Sequence, residues 1–152
     1  MGGAMSTTVP TSRMTGIGRV LVIVYAVMAL AATGRSFVQI FRQFDEAPLA
    51  YSLSALAAVV YILATLALVL ADRRGWYVMA WVAIVFELTG VLVIGTLSVF
   101  FPDLFPHDTV WSMFGRGYVF IPLVLPIFGI WWLRTHRPAR AVQEAPAAEV
   151  SA

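Results

Sequence analysis

Four long apolar runs take up most of this chain of 152 residues. The second run, residues 47–71, has no charged side chain, and the third, from Trp76 to Phe101, has one, Glu87. About 20 apolar residues in a helix are enough to cross the roughly 30 Å hydrocarbon core of a bilayer. The sequence therefore predicts an all-α polytopic membrane protein, with four transmembrane helices in an up-down bundle. We expect these helices at about residues 17–41, 48–71, 76–100 and 112–133.

The composition supports this fold class. Hydrophobic residues make up 61% of the chain and charged residues 12%, whereas soluble domains contain roughly 25% charged residues. The length allows one domain, which we place at residues 16–135. Residues 1–15 are small and polar, and residues 136–152 become rich in Ala, Pro and Glu. Both ends are predicted to be disordered cytoplasmic tails.

The arginines predict the orientation in the membrane. All ten basic residues are arginine, and cytoplasmic segments of membrane proteins carry an excess of positive charge. Four crossings with the amino terminus inside leave three arginines on the outer side, Arg35, Arg42 and Arg116. The other seven are then cytoplasmic: Arg13, Arg19, Arg73, Arg74, Arg134, Arg137 and Arg140. We predict a multi-pass protein of the cell membrane with both termini cytoplasmic.

The first apolar run has a second interpretation. It follows Arg13 and Arg19 and contains Ala29-Leu30-Ala31, which has the form of a signal-peptide cleavage site. A retained helix is favoured because apolar residues continue beyond this site to Phe41. The sequence leaves open whether translation starts at Met1 or Met5.

Several classes of chemistry are not expected. The chain has no cysteine, which excludes disulfides, thiolate metal sites and thiol catalysis. Its two histidines, His107 and His136, fall on opposite sides of the bilayer in this topology. No nucleotide-binding, zinc-protease or serine-hydrolase motif is present. We predict a protein that is not an enzyme, with no catalytic, cofactor-binding or metal-binding residue and no cofactor. The arginines flank apolar runs rather than forming a basic face, so no nucleic acid partner is expected.

Glu87 is the polar residue most in need of explanation. Ala80, Ala83 and Gly90 share its face at helical spacing, and small residues allow a neighbouring helix to approach closely. Arg35 on the first helix is the candidate partner, because counting from Val20 and Trp76 leaves an axial offset of roughly 6 Å. The pair Glu87 and Arg35 is therefore a candidate intramembrane ion pair, and Glu87 is alternatively a coupling site for protons or ions. A third interpretation is a contact for a lipid, a quinone or a partner helix.

Arg116 is a candidate outer-mouth contact for an anion. It stands between Gly115 and Gly117 at the outer end of the fourth predicted helix. It is predicted either to join Arg35 around an anionic headgroup or substrate, or to extend to the interface as an ordinary snorkelling side chain.

Three short motifs carry a resemblance to a known group of proteins: Gly34-Arg35-Ser36, the run from Phe44 to Tyr51, and Asp72-Arg73-Arg74. With its four apolar runs, the chain resembles the small four-pass integral membrane proteins of high-GC Gram-positive bacteria, the actinobacterial type. The resemblance implies the four-helix membrane fold over residues 15–135 and no particular activity. The chain is also similar in length to small multidrug-resistance transporters, but those carry their membrane glutamate in the first helix, where this chain has none.

Two functions follow as hypotheses. The first is a membrane protein without a catalytic site, acting as a structural or accessory component of a membrane complex. The second is a small proton-coupled transporter that works as an oligomer through Glu87. The expected partners are the lipid bilayer and either other membrane subunits or further copies of the chain.

Overall fold

A computed structural model describes residues 16–138 of the chain. The tails predicted at residues 1–15 and 136–152 lie outside this range, except for residues 136–138, which follow the last helix without forming an element. Every regular element of the described range is helical and none is a strand, which confirms the predicted fold class at this level.

Four α-helices form the fold. They are α1 (Ile17–Gln43), α2 (Pro48–Val69), α3 (Arg74–Phe100) and α4 (Ile121–Thr135). Short 3₁₀ turns occupy Phe44–Glu46, Pro102–Leu104 and Ser112–Tyr118. The first three α-helices are long and apolar enough to cross a membrane. A fourth crossing requires that Ser112–Tyr118 and Ile121–Thr135, which are bent by 98°, together form one broken span.

The single helix predicted over residues 112–133 is wrong in its first third. Residues Met113, Phe114 and Gly115 have positive φ angles of 49°, 60° and 81°, so the chain follows a left-handed path before it turns into α4. A Cβ atom on Gly115 would lie 2.6 Å from Pro122, which leaves room only for glycine at this turn. Pro122 itself lies in the first turn of α4, where its missing N–H group has no helical partner to lose. Pro122 therefore lies at the start of a shorter helix, and Pro126 lies inside that helix.

Side-chain contacts show which helix ends lie together. A Cβ atom on Gly18, near the start of α1, would contact the Trp132 ring near the end of α4, at 2.9 Å. The Tyr77 hydroxyl at the start of α3 donates a 2.6 Å hydrogen bond to the Leu133 carbonyl. We call this end, where five arginines of the described range occur, the arginine-rich end: Arg19, Arg73, Arg74, Arg134 and Arg137. We call the opposite end, which has Arg35, Arg42 and Arg116, the cap end.

The cap end is covered by residues 105–120, which we call the cap segment. Its aromatic side chains lie against glycines of α3: a Cβ atom on Gly90 would be 2.8 Å from the Trp111 ring, and one on Gly95 would be 2.6 Å from Phe114. Main-chain N–H of Met113 donates a 2.7 Å hydrogen bond to Ser98 Oγ of α3. The glycines of α3 thus let the cap segment pack directly against the helix backbone.

The interior is built from small and aromatic residues, and the exterior is apolar. On α3 the buried stripe includes Ala80, Ala83, Glu87 and Val91. The opposite face exposes large apolar side chains, among them Val82, Val85 and Phe86. A helix that is apolar on its exposed face as well as on its buried face is suited to a lipid environment.

Candidate functional site at the centre of the bundle

Glu87 is fully buried at the midpoint of α3. It is the fourteenth of the 27 residues of this helix, and none of its surface is exposed. The Tyr25 hydroxyl of α1 donates a 2.7 Å hydrogen bond to Glu87 Oε2. The other carboxyl oxygen, Oε1, is buried without a hydrogen-bond partner. The only side-chain hydrogen bond that this carboxyl group makes within the described range therefore comes from a neutral donor on a different helix.

Two further buried side chains extend this polar site. Trp111 Nε1 of the cap segment donates a 3.1 Å hydrogen bond to the Tyr61 hydroxyl of α2. The rings of Tyr61 and Tyr25 lie with their centroids 6.3 Å apart, at an interplanar angle of 48°. We call Tyr25, Tyr61, Glu87 and Trp111 the Glu87 cluster. It joins α1, α2, α3 and the cap segment in a region without solvent access.

The chemistry of the cluster follows from its charge and burial. Other buried polar atoms of the described range also lack a partner, namely Ser36 Oγ, Gln39 Oε1 and Ser54 Oγ, but none of these groups can ionise. A buried carboxylate without a cation costs several kcal/mol or more unless hydrogen bonds compensate it, and a neutral acid costs much less. The arrangement is therefore one in which the binding or release of a single proton changes the local energy strongly.

Glu87 has no surface exposed to solvent. A shallow groove on the exposed side of α3 is lined by Trp81, Val82, Val85, Phe86 and Thr89, and Glu87 is not among its lining residues. Within residues 16–138, no three His, Asp or Glu side chains are grouped closely enough to hold a metal ion.

The predicted pair of Arg35 and Glu87 is not formed. Arg35 Nη2 instead donates a 2.6 Å hydrogen bond to the main-chain carbonyl of Asp108, and its guanidinium carbon lies 6.0 Å from the centre of the Tyr118 ring. Tyr25, rather than Arg35, is level with Glu87. Ten residues separate Tyr25 from Arg35 along α1, which corresponds to about 15 Å along the axis and about 80° around it. The count from estimated helix starts therefore gave the wrong register.

Arg116 lies in the cap segment, within Ser112–Tyr118, and not on the continuous fourth helix that the sequence predicted. Its side chain is exposed, and Nη1 is 3.5 Å from Met113 Sδ, a weak contact. Arg35 and Arg116 both touch the cap segment, but they use different partners there. Whether they share an anion stays a prediction.

The two cap-end loops meet at His107. Its Nε2 atom is 3.5 Å from Glu46 Oε2, and its ring stacks on Tyr51 at a centroid distance of 5.9 Å. These contacts tie the cap segment to the α1–α2 connection, so His107 has a role in packing.

Sequence reasoning did not identify Tyr25, Tyr61 and Trp111 as parts of the site. One signal was present: Tyr61 lies one turn from Ala57, Ala58 and Ala64 in an uncharged run. A hydroxyl beside small residues in an apolar helix favours a buried interhelical contact.

Comparisons with known proteins assign no family to the chain, so a functional proposal has to rest on the contacts described above. No family model matches the chain, and the searches of curated proteins and of solved structures give no match either.

Proposed function

We propose that the chain is a four-span integral membrane protein of the cell membrane, and that it serves as a structural or accessory component of a membrane complex. In this proposal the cap segment and α4 together make the fourth crossing. α4 alone has 15 residues, or about 22 Å, which is less than the roughly 30 Å of the hydrocarbon core.

The distribution of arginine supports an arrangement with both termini cytoplasmic. Five arginines of the described range occur at the arginine-rich end and three at the cap end. Cytoplasmic loops of membrane proteins carry the excess of positive charge. The arginine-rich end is then cytoplasmic, and the cap segment faces the outside.

One observation carries the structural role: several inward polar side chains join two different elements. Tyr25 links α1 to α3, Trp111 links the cap segment to α2, and Tyr77 links α3 to α4. Polar groups used in this way fix the relative positions of helices in a membrane. The exposed apolar faces are left for lipid or for other membrane subunits.

Topology and partners can be tested on the full chain. Reporters that are active only in the cytoplasm should be active at both termini, and opposite signals from the two ends would contradict the four-span arrangement. Tagged protein extracted in mild detergent should co-purify with a membrane subunit in fixed stoichiometry. A monomer that carries no partner under the same conditions would overturn the accessory role.

A second candidate function rests on the unpartnered oxygen of Glu87. A buried carboxyl group at the middle of a membrane span is a typical proton-binding group of transporters. In this proposal the chain works as an oligomer and couples transport to the protonation of Glu87. Proton movement into proteoliposomes should then depend on Glu87 and be lost in Glu87→Gln, whereas unchanged movement in this variant would exclude the coupling.

A further inference from the structure

Trp111 closes the cap-end side of Glu87. Gly90 lies three residues beyond Glu87 on α3, toward the cap end, and a Cβ atom on it would be 2.8 Å from Trp111 Cζ3. The indole ring therefore rests on the backbone of α3, about one turn from the carboxyl group. Its Nε1–H group reaches across to Tyr61 on α2. The side chain fills the space between the two helices and is only 2% exposed.

The turn that carries Trp111 is a compact unit. Thr109 N–H donates a 2.8 Å hydrogen bond to Ser112 Oγ, and Trp111 N–H donates a 3.1 Å hydrogen bond to Thr109 Oγ1. Because these bonds lie within the turn, they persist if the turn moves away from the helices. The indole ring would then leave Gly90 together with residues 109–112.

Few polar contacts hold the cap segment to the bundle. Within the described range they are three hydrogen bonds and one longer contact. Arg35 donates to the Asp108 carbonyl, Met113 N–H to Ser98 and Trp111 Nε1–H to Tyr61, and His107 lies near Glu46. The segment also contains strained backbone, since Met113, Phe114, Val119 and Phe120 all have positive φ angles. Non-glycine residues in this conformation cost on the order of 1–3 kcal/mol each. The strain lowers the energy needed to rearrange the segment.

We propose that the cap segment is a gate, and that Glu87 exchanges a proton with the aqueous phase at the cap end when Trp111 leaves Gly90. This inference rests on the second candidate function and adds to it a route and a side of access. In the open state the O–H bond of the carboxyl group breaks and the proton passes to water, and the reverse step reloads the site. The titratable groups on the neighbouring helices are Tyr25 of α1 and Tyr61 of α2, and α4 presents Gly129 beside the Tyr25 hydroxyl.

Thiol labelling tests the gate directly, because the chain contains no native cysteine. Val91 is fully buried on α3, one turn beyond Glu87, and a membrane-impermeant sulfonated maleimide reports whether water reaches Val91→Cys. We expect slow labelling from the cap-end side of right-side-out vesicles and little from the other side. Gly90→Ala, which forces the indole ring away, should raise the cap-end rate at least tenfold. Trp111→Ala should do the same, and Trp111→Phe should have a smaller effect.

Leu68→Cys provides the matched control. Leu68 is 1% exposed on α2 and lies two turns from Tyr61, toward the arginine-rich end. Its labelling should stay slow in the Gly90→Ala and Trp111→Ala backgrounds. Equal acceleration at Leu68→Cys and Val91→Cys would indicate general loosening, and this result would overturn the gate. So would labelling of Val91→Cys at equal rates from both sides.

Proton uptake separates the gate from the function on which it rests. In proteoliposomes, Gly90→Ala should change the rate of proton movement at least several-fold, and the double variant with Glu87→Gln should show none. If proton movement depends on Glu87 but Val91→Cys never labels from the cap end, the gate is wrong and the coupling function stands. If labelling follows the expected pattern without proton movement that depends on Glu87, the coupling function fails and the proposal fails with it.

Discussion

The Tyr25 hydroxyl and Glu87 Oε2 lie 2.7 Å apart at a position where neither side chain is exposed. This bond sets the axial level of α1 against α3. A hydrogen bond to a buried carboxyl group contributes more than one between neutral groups when the group is charged, and losing it leaves a buried oxygen unpaired. Removing this bond should therefore lower the stability of the fold by a measurable amount.

Tyr25→Phe should destabilise the fold by about 1–3 kcal/mol, because it removes the donor and leaves Glu87 Oε2 unpaired. Glu87→Ala should cost more, since it also leaves a cavity between the helices. Glu87→Gln keeps the shape of the side chain and an oxygen that can accept the hydrogen bond, so its loss of stability should be the smallest of the three. Equilibrium unfolding in mixed detergent micelles measures all of them.

Tyr51→Phe is the matched control for this series. Tyr51 is also buried, but its ring lies beside His107 at the cap end, and phenylalanine keeps this ring contact. Its loss should be close to zero. A loss in Tyr51→Phe equal to that in Tyr25→Phe would contradict the importance of the Glu87 bond.

Gly95→Ala should destabilise the bundle because its Cβ atom would meet the Phe114 ring at 2.6 Å. Overpacking of this kind costs about 1–3 kcal/mol. Gly34→Ala on α1 has nothing within 4 Å of the new atom and should be neutral or stabilising by about 0.5–1 kcal/mol through helix propensity. Thermal unfolding followed by tryptophan fluorescence compares the two. Adding Phe114→Ala to Gly95→Ala should remove most of the steric cost. If the losses of stability from the two substitutions simply added, this would argue against the contact.

Arg35→Gln should loosen the cap segment, because it removes both the hydrogen bond to the Asp108 carbonyl and the cation–π contact with Tyr118. Hydrogen–deuterium exchange of peptides covering residues 105–120 should accelerate at least several-fold. Arg116→Gln removes the same charge from an exposed side chain with one weak contact and should change exchange little. Faster exchange in Arg116→Gln than in Arg35→Gln would show that Arg116, and not Arg35, holds the cap segment in place.

The sequence predicts the all-helical class but not the relative positions of the helices. Long uncharged runs predict membrane-spanning helices because unpaired backbone groups are too costly in lipid. The small residues around Glu87 indicated that it faces a helix, and it lies on the buried stripe of α3. Apolar runs do not fix axial register, since lipid-facing residues can shift along the axis at little cost. Arg35 was therefore chosen as the partner where Tyr25 makes the contact.

The cap segment was beyond prediction for a different reason. Its left-handed turns occur at Met113, Phe114, Val119 and Phe120, which are residue types that avoid this conformation when considered locally. Contacts with Gly90 and Gly95 of α3, made from far along the chain, hold Trp111 and Phe114 in place. Tertiary packing overrides the local preference here, and the sequence gives no local signal of it.

Because the backbone at Val119 is left-handed, a glycine substitution should change stability there in the opposite direction from a glycine substitution inside a helix. Val119 has a φ angle of 56° and is 82% exposed, so its side chain contributes little packing while the branched Cβ opposes the backbone. Val119→Gly should stabilise the fold by about 1 kcal/mol, because glycine adopts left-handed angles without the steric cost. The same substitution at Val124, an exposed position inside α4, should destabilise by about 0.3–0.5 kcal/mol, because glycine is a weaker helix former than valine. Thermal unfolding of the two variants in the same detergent measures both effects. The melting temperature should rise in Val119→Gly and fall in Val124→Gly. A fall in both would show that Val119 does not have left-handed backbone angles.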